Sequence, residues 1–583
     1  ARAGVDLFTT NTKNRSFIAS WYIRYQIAKG LDFRTEYGLN SISTNQKAYS
    51  DGRLRESGEA QASSSASSRN SWNWKNLLNY RKRLGNHNFD VLAGVEASKS
   101  KFHINNMKGV GFSSSTLKTP ADAAVLTPTF NESAYTFLSV LSRVNYDYKG
   151  KYLISLTARR DGSSRFGKDR KWGTFPAASL GYNISEENFF EPLKNVFNFF
   201  KIKASYGISG NAEIGNYLNE SRYSQQNYNL QNGITLSNIP DDELGWESAA
   251  QTNFAVSMEL FDGKIRADID YYEKVTSDLL LPFPVSAITG VNNVTANIGE
   301  MQNNGFEVIL GATLADKDDL SWDVELQLAR NTNEVTDLGD NPDGINIPGF
   351  GNTAIYRGKP VGIQNMPVWG GIDPATGEDL WVQQSDGMLL TTSQVEGQFN
   401  SLNAFFSNNN VPFGNPYPDY TGGFSTDLRY KNWSVSALLS FAVGQNYVAS
   451  GEIINSKYFA SSMNLTPLRH MLGRWRSPGD VTNIGQLTTD PTIWSRTTQY
   501  VSDVDYLRLR DFTFTYSFDI PEGSPIKGLD LYTKLTNFLT WTNAQPWMYD
   551  PENHVRGGNT SLMDKWKQVP QAKTVNIGLN LKF

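Results

Sequence analysis

The last nine residues, Val575 to Phe583, place Val, Ile, Leu, Leu and Phe at odd positions and Asn, Gly, Asn and Lys at even ones. A period of two is a strand with one apolar and one polar face. The chain carries about 17 segments of this kind. They are Phe17–Ala28, Leu31–Ser43, Trp72–Arg83, Phe89–Ser98, Tyr135–Tyr148, Tyr152–Arg160, Thr174–Ile184, Phe197–Ile208, Gln251–Phe261 and Lys264–Lys274. Gly305–Leu314, Ser321–Asn331, Gly422–Tyr430, Trp433–Phe441, Tyr506–Phe518, Leu529–Trp541 and the terminal strand complete the set. Most are long for soluble strands, and their length suits a tilted membrane crossing.

The connections alternate between tight and long. Lys29-Gly30, Leu84–His87, Lys149-Gly150, Asp262-Gly263, Ala315–Leu320 and Lys431-Asn432 read as tight turns. Between them lie polar excursions at 44–71, 99–134, 209–250, 275–304, 332–421, 442–505 and 542–571. An outer-membrane barrel has short periplasmic turns and long extracellular loops, which predicts an all-β transmembrane antiparallel barrel over residues 1–583. The first and last strands both lead toward the tight-turn side, so their number is odd. Bacterial barrels normally close with an even number, which predicts further strands before Phe17. The opening Ala1-Arg2-Ala3-Gly4 is no signal peptide and reads as a processed, truncated or fragment N-terminus.

Composition narrows the classes. The mean hydropathy is −0.44, and no apolar run approaches the roughly 20 residues of a membrane helix. A barrel escapes that test because its inner face is polar. The 14 Trp, 27 Tyr and 32 Phe are rich enough to furnish interfacial girdles. Cysteine is absent, which removes disulfides and thiolate chemistry. A net charge of −4 argues against nucleic acid as a partner.

Several local motifs coincide with one family. Arg160-Asp161-Gly162-Ser163-Ser164-Arg165-Phe166-Gly167 with Trp172-Gly173-Thr174-Phe175-Pro176 resembles a signature of SusC/RagA-like TonB-dependent transporters. Lys203–Gly207, Gly210-Asn211, Ile214–Tyr217, Asn297–Glu300 and Asn304–Glu307 are similar to further elements of it. So are Gly371–Pro374 with Thr376–Glu378, Asn415–Tyr420 and Tyr506–Arg510, all in the family's order. The resemblance implies a 22-stranded barrel closed by an N-terminal plug. This chain would then lack the plug, the TonB-contacting segment and about five strands. It also implies a SusD-like surface lipoprotein as partner, and TonB with its inner-membrane motor acting through the plug. The implied cargo is a glycan or peptide ligand, in the outer membrane of a Gram-negative, Bacteroidetes-type bacterium. Lipid and lipopolysaccharide would surround the wall. Some relatives carry an acidic loop after the Thr-Gly-Glu element. Here Val382–Gly387 holds a single carboxylate, Asp386, so no metal site is carried over.

Chemistry-bearing residues read mostly as structure. Asp161–Ser164 reads as a turn rather than a serine nucleophile, with no histidine near it in sequence. His87, His103, His470 and His554 have no zinc-ligand spacing. Asp316, Asp318 and Asp319 crowd a tight turn, where solvated charge is expected rather than a glycosidase pair. Gly207, Gly210 and Gly215 lack a dinucleotide spacing. Trp21, Trp72, Trp74, Trp322, Trp433 and Trp541 fall on or beside strands and read as wall residues. Trp369, Trp381, Trp494 and Trp547 fall in long loops. They are the ligand-stacking candidates, with loop packing as the competing assignment. No catalytic, cofactor or metal residue is expected. The resulting expectation is TonB-dependent import of oligosaccharides or oligopeptides, with no catalysis. The rivals are a structural or secretion-associated barrel and, further off, an outer-membrane or secreted glycan-active enzyme.

Overall fold

A computed structural model describes residues 7–583 apart from 56, 115, 230, 340, 342–343, 347–353, 400, 449–468, 488–496, 545–549 and 553–569. Its main feature is a 17-stranded sheet. We number its strands β1 (Phe8–Ala28), β2 (Leu31–Ser50), β3 (Gln61–Leu84), β4 (His87–Val110), β5 (Val125–Tyr148), β6 (Tyr152–Ser163), β7 (Trp172–Asn183) and β8 (Phe197–Asn211). They continue as β9 (Glu247–Leu260), β10 (Ile265–Ser277), β11 (Glu300–Lys317), β12 (Leu320–Asp337), β13 (Tyr420–Tyr430), β14 (Trp433–Val443), β15 (Tyr506–Phe518), β16 (Gly528–Thr542) and β17 (Thr574–Lys582). Every alternating segment of the sequence is one of these strands. No helix among the described residues is long and apolar enough to cross a membrane.

The structure lengthens the first five strands. Residues 44–71 and 99–134, expected as polar excursions, are largely strand, leaving loops at 51–60 and 111–124. These extensions, such as Gln61–Asn70, are rich in Ser, Ala and Asn. Where both faces meet water, alternation is not required, and only backbone pairing holds the strand.

Two compact units divide the chain. The first (1–181, 205–250 and 278–297) holds β1 to β6, paired antiparallel in sequence order. On one face, Trp21, Tyr37, Trp74, Ala97 and Leu138 form a single cross-strand rung. Tyr37 stacks between Trp21 and Trp72 with centroids 6.4 and 6.3 Å away. Leu78, Val95, Val140 and Leu156 continue this apolar face and are solvent-exposed in the isolated chain. The opposite face carries Glu36, Asn73, Lys75, Glu96, Ser139 and Arg159. This is the segregation a lipid-facing wall with a polar lining requires.

The second unit (182–204, 251–277 and 298–583) pairs β10 to β17 consecutively. In β17, Val575, Ile577, Leu579 and Leu581 lie opposite Leu535, Thr533, Leu531 and Leu529 of β16. Ile577 is 73% exposed and Phe583 78%. This register puts apolar side chains together on one face and Asn576, Asn580 and Lys582 on the other.

Candidate functional site

In the first unit, the polar face is cross-braced at mid-strand. Lys75, Glu96, Ser139 and Asp161 occupy one rung of β3 to β6. Arg159 ties them together, donating to Asp161 at 2.8 Å, Ser139 at 3.0 Å and Glu96 at 3.4 Å. Lys75 reaches Glu96 from the other side at 3.4 Å. Beside this brace a recess of about 350 Å³ is lined by Ser20, Asn40, Ser71, Asn73, Ser98 and Tyr135, among others. Its one acid, Glu36, is paired with Arg34 at 2.8 Å. Such a surface offers hydroxyl and amide hydrogen bonds with its one acid compensated, which suits holding a polar chain.

The Asp161–Gly167 segment is structural. Asp161 to Ser163 extend β6 against Phe137–Ser139, so the expected turn begins later. The Arg165 guanidinium donates to the Ala212 carbonyl at 2.6 Å and Asn216 Oδ1 at 2.9 Å, and lies 4.0 Å over the Tyr135 ring. Ser164 Oγ accepts from the Thr136 amide at 3.0 Å. Phe166, fully buried, packs on Trp246, whose indole donates to the Lys171 carbonyl at 3.0 Å. These contacts fasten the middle of β5 and the loop end of β6 to residues 212–246. Elsewhere Ser68 Oγ and His103 Nδ1 lie 3.1 Å apart, a contact that sequence separation concealed. Glu132, opposite His103, is bound by Lys101 at 2.7 Å instead of orienting the ring. No nucleophile–base–acid relay is assembled there among the described residues.

In the second unit, residues 364–413 form a small folded lobe. Gln364–Pro367 pairs with Asn410–Phe413, and Trp369–Ile372, Asp379–Val382 and Leu389–Thr391 form a three-stranded sheet. Two short helices, α1 (Thr392–Phe399) and α2 (Leu402–Asn409), cover it. Trp381 is the centre of this lobe. It is 1% exposed, packs edge-on against Phe406, and donates its indole N–H to Thr392 Oγ1 at 3.2 Å. It has no free face for a ligand in this structure, so loop packing accounts for it. Trp369 packs against the same cluster and donates to Asp379 Oδ1 at 3.1 Å. Trp494 and Trp547 lie outside the described residues.

The family-like loop motifs also build scaffold. Asp373 accepts from the Ala375 amide at 3.0 Å and the Thr376 hydroxyl at 2.8 Å, and these bonds hold its carboxyl below the ordinary value. Glu378 accepts from the Ser393 amide and hydroxyl at 2.9 and 2.6 Å, anchoring the start of α1. Asp386 accepts from the Met388 amide at 3.0 Å and closes a turn.

A second feature, which no sequence pattern signalled, is a buried ionic clasp. Against β14 the register of β15 jumps from Leu509 to Asp511, making Arg510 a bulge, and against β16 Arg510 falls opposite a second irregularity at Asn537 and Phe538. Bulges re-aim side chains. Arg508, 2% exposed, donates to Asp550 at 2.7 Å and lies 2.8 Å from Glu552. Arg510 also pairs with Glu552 and donates to Ser440 Oγ at 2.7 Å. Asp550 accepts from the amides of Glu552 and Gln571 at 2.9 and 3.0 Å. The clasp thus binds both ends of the described β16–β17 connection to the wall.

Comparison with known proteins decides the family. The description "TonB dependent receptor-like, beta-barrel" matches residues 2–461. The chain belongs to this family. TonB-dependent receptor P39 of Formosa agariphila is 29% identical over 98% of the chain and 59% of its own length. TonB-dependent receptor SusC of Bacteroides thetaiotaomicron is 27% identical over 87% of the chain and 49% of its own length. The chain therefore spans half to three-fifths of these curated relatives. The solved RagAB peptide transporter superposes with a TM-score of 0.83 over 99% of the chain and 63% of its own, at 24% identity. That similarity establishes the fold. The chain is similar in sequence to SusC and in fold to RagAB.

Proposed function

We propose that this chain is the barrel wall of an importer in the outer membrane of a Bacteroidetes-type bacterium. Family membership over residues 2–461 carries this reading. It is supported by one apolar and one polar face on β1 to β6 and by long loops on alternate connections. The cargo is an oligosaccharide or oligopeptide, handled by hydrogen-bonding surfaces such as the recess near Asn73 rather than by catalysis. A SusD-like surface lipoprotein is the partner on the loop side, and TonB supplies energy from the inner membrane. RagAB is a peptide transporter by its description, which places peptides beside glycans in the assay panel.

Membrane topology and transport test the reading separately. In the full-length receptor on intact cells, cysteines at Lys29, Gly150, Gly263 and Asn432 should resist an impermeant label, while those at Asn229 and Gly344 should react. Equal labelling of both sets would sink the outer-membrane reading. Deletion of the full-length gene should then abolish growth on one class of oligosaccharide or oligopeptide. Unchanged growth and uptake across the panel would sink the importer reading.

A further inference from the structure

The recess of the first unit owes its shape to a missing side chain. Ser20, Gly38, Asn73 and Ser98 share one rung of β1 to β4, and Asn40, Ser71 and Ser100 follow on the next rung toward the loops. A Cβ on Gly38 would stand 2.2 Å from Asn73 Oδ1. The Asn73 carboxamide therefore lies across β2 in the notch that glycine leaves, and any larger residue there would displace it. Ser71 donates to Ser100 at 2.9 Å. Among the described residues, the side chains of Ser20, Asn40, Asn73 and Ser98 take no hydrogen bond of their own.

We infer that Asn73, seated in the notch at Gly38, is the specificity-determining group of this recess and selects an uncharged sugar unit of the cargo. The inference rests on the importer reading above and narrows its cargo. On the side away from the loops, the neighbouring rung is the Lys75–Glu96 brace, in which every charge has a partner. Glu36 is paired with Arg34, and Lys99, alternating with Ser98 and Ser100, projects to the opposite face. A charged cargo group entering here would lose water and meet no free counter-charge. An extended peptide would find no open strand edge, because β2 to β4 are paired on both sides across the recess. A sugar ring needs neither. Its hydroxyls both donate and accept, as do carboxamides and serine hydroxyls. The recess of about 350 Å³ is at the small end of ligand pockets, so it takes a unit of the cargo rather than the whole chain.

The test measures depletion of three pools by cells carrying the full-length receptor, relative to a deletion strain. The pools are uncharged oligosaccharides, uronate-containing oligosaccharides and tryptic peptides. Receptor-dependent depletion should be confined to the uncharged sugars. Asn73→Ala should slow it roughly tenfold at limiting sugar, the effect of losing two hydrogen bonds. Gly38→Ala should slow it as much and the double variant no more, because both changes take the same carboxamide out of the recess. The added Cβ meets only the end of the Asn73 side chain, so the wall keeps its pairing and surface levels of the variants can be matched. Wild-type depletion of the uronate or peptide pool as fast as the uncharged pool would overturn the inference and leave an importer standing. Additive effects of the two substitutions would also overturn it. So would unchanged uptake in Asn73→Ala, the result expected if another part of the full-length receptor covers the recess. No receptor-dependent depletion of any pool would overturn the importer reading itself.

Discussion

At the scale of single residues, backbone geometry and buried charge set the sharpest constraints. Gly30 turns β1 into β2 with φ +82°, and a Cβ there would sit 2.2 Å from the Arg81 carbonyl oxygen. That oxygen is backbone, fixed by the pairing in which the Arg81 amide donates to Gly30 at 2.7 Å. Gly85 also has positive φ, +58°, but open space around it. Both alanine variants carry the left-handed penalty of about 1–2 kcal/mol, and Gly30→Ala adds a clash that only backbone movement relieves. We expect Gly30→Ala to exceed Gly85→Ala by about 1–3 kcal/mol, measured by urea unfolding of the full-length receptor in detergent. Equal costs would show that Arg81 yields freely. The clasp gives a second expectation. Desolvation pushes the Asp550 carboxyl up, but Arg508 and the amides of Glu552 and Gln571 outweigh it and hold it below its ordinary value. A carboxyl depressed in the folded state stabilises above its unfolded value, about 3.9, and that contribution disappears as pH falls through the folded one. Hydrogen exchange at Glu552 and Gln571 should therefore stay slow at neutral pH and accelerate below about pH 4. Arg508→Met should accelerate it at neutral pH, where the carboxylate is ionised, since a buried carboxylate without its cation costs about 3–5 kcal/mol. Unchanged exchange in that variant would mean the clasp holds nothing.

At the scale of elements, period-two alternation made all of the long strands legible because one face of each must be apolar. It lost β1 to β5 where they continue as polar strands, for example Gln61–Asn70, since nothing there distinguishes the two faces. The lobe was hidden for a different reason. Its core joins Trp381, Leu390, Val395, Leu402, Phe405 and Phe406 from one strand pair and two short helices, none periodic enough to stand out alone. Sequence alone therefore left Trp381 open between ligand stacking and loop packing, and Asp550 and Glu552 gave no sign of their distant arginines. The lobe's dependence on Trp381 is testable. Trp381→Ala should cost about 3–5 kcal/mol within the lobe, raising exchange in 379–409 while β12 and β13 stay protected. A variant with intact lobe protection would show that Trp381 is dispensable to packing and would reopen its role toward a ligand.

At the scale of the whole molecule, the terminal strands carry the strongest constraint. β1 pairs with β2 from Phe8 to Ala28, yet nearly every residue along it is exposed, on both faces. β17 pairs with β16, and all of its residues but Gly578 are exposed as well. Strands in the interior of the sheet, such as β4, are mostly half-buried. A strand in hydrocarbon must satisfy its amides and carbonyls on both edges, and each unsatisfied group costs several kcal/mol. The curated relatives are longer than this chain by a margin that could supply the neighbours: P39 is matched over 59% of its length. We therefore expect residues 1–583 produced alone to form no heat-modifiable, protease-resistant barrel in liposomes, whereas the full-length receptor forms one. Co-refolding with the additional segment as a separate polypeptide should rescue the barrel, because pairing requires proximity and not covalent continuity. A stable, protease-resistant barrel from residues 1–583 alone would mean that β1 and β17 find partners within this chain, and the expectation of further strands would then fall.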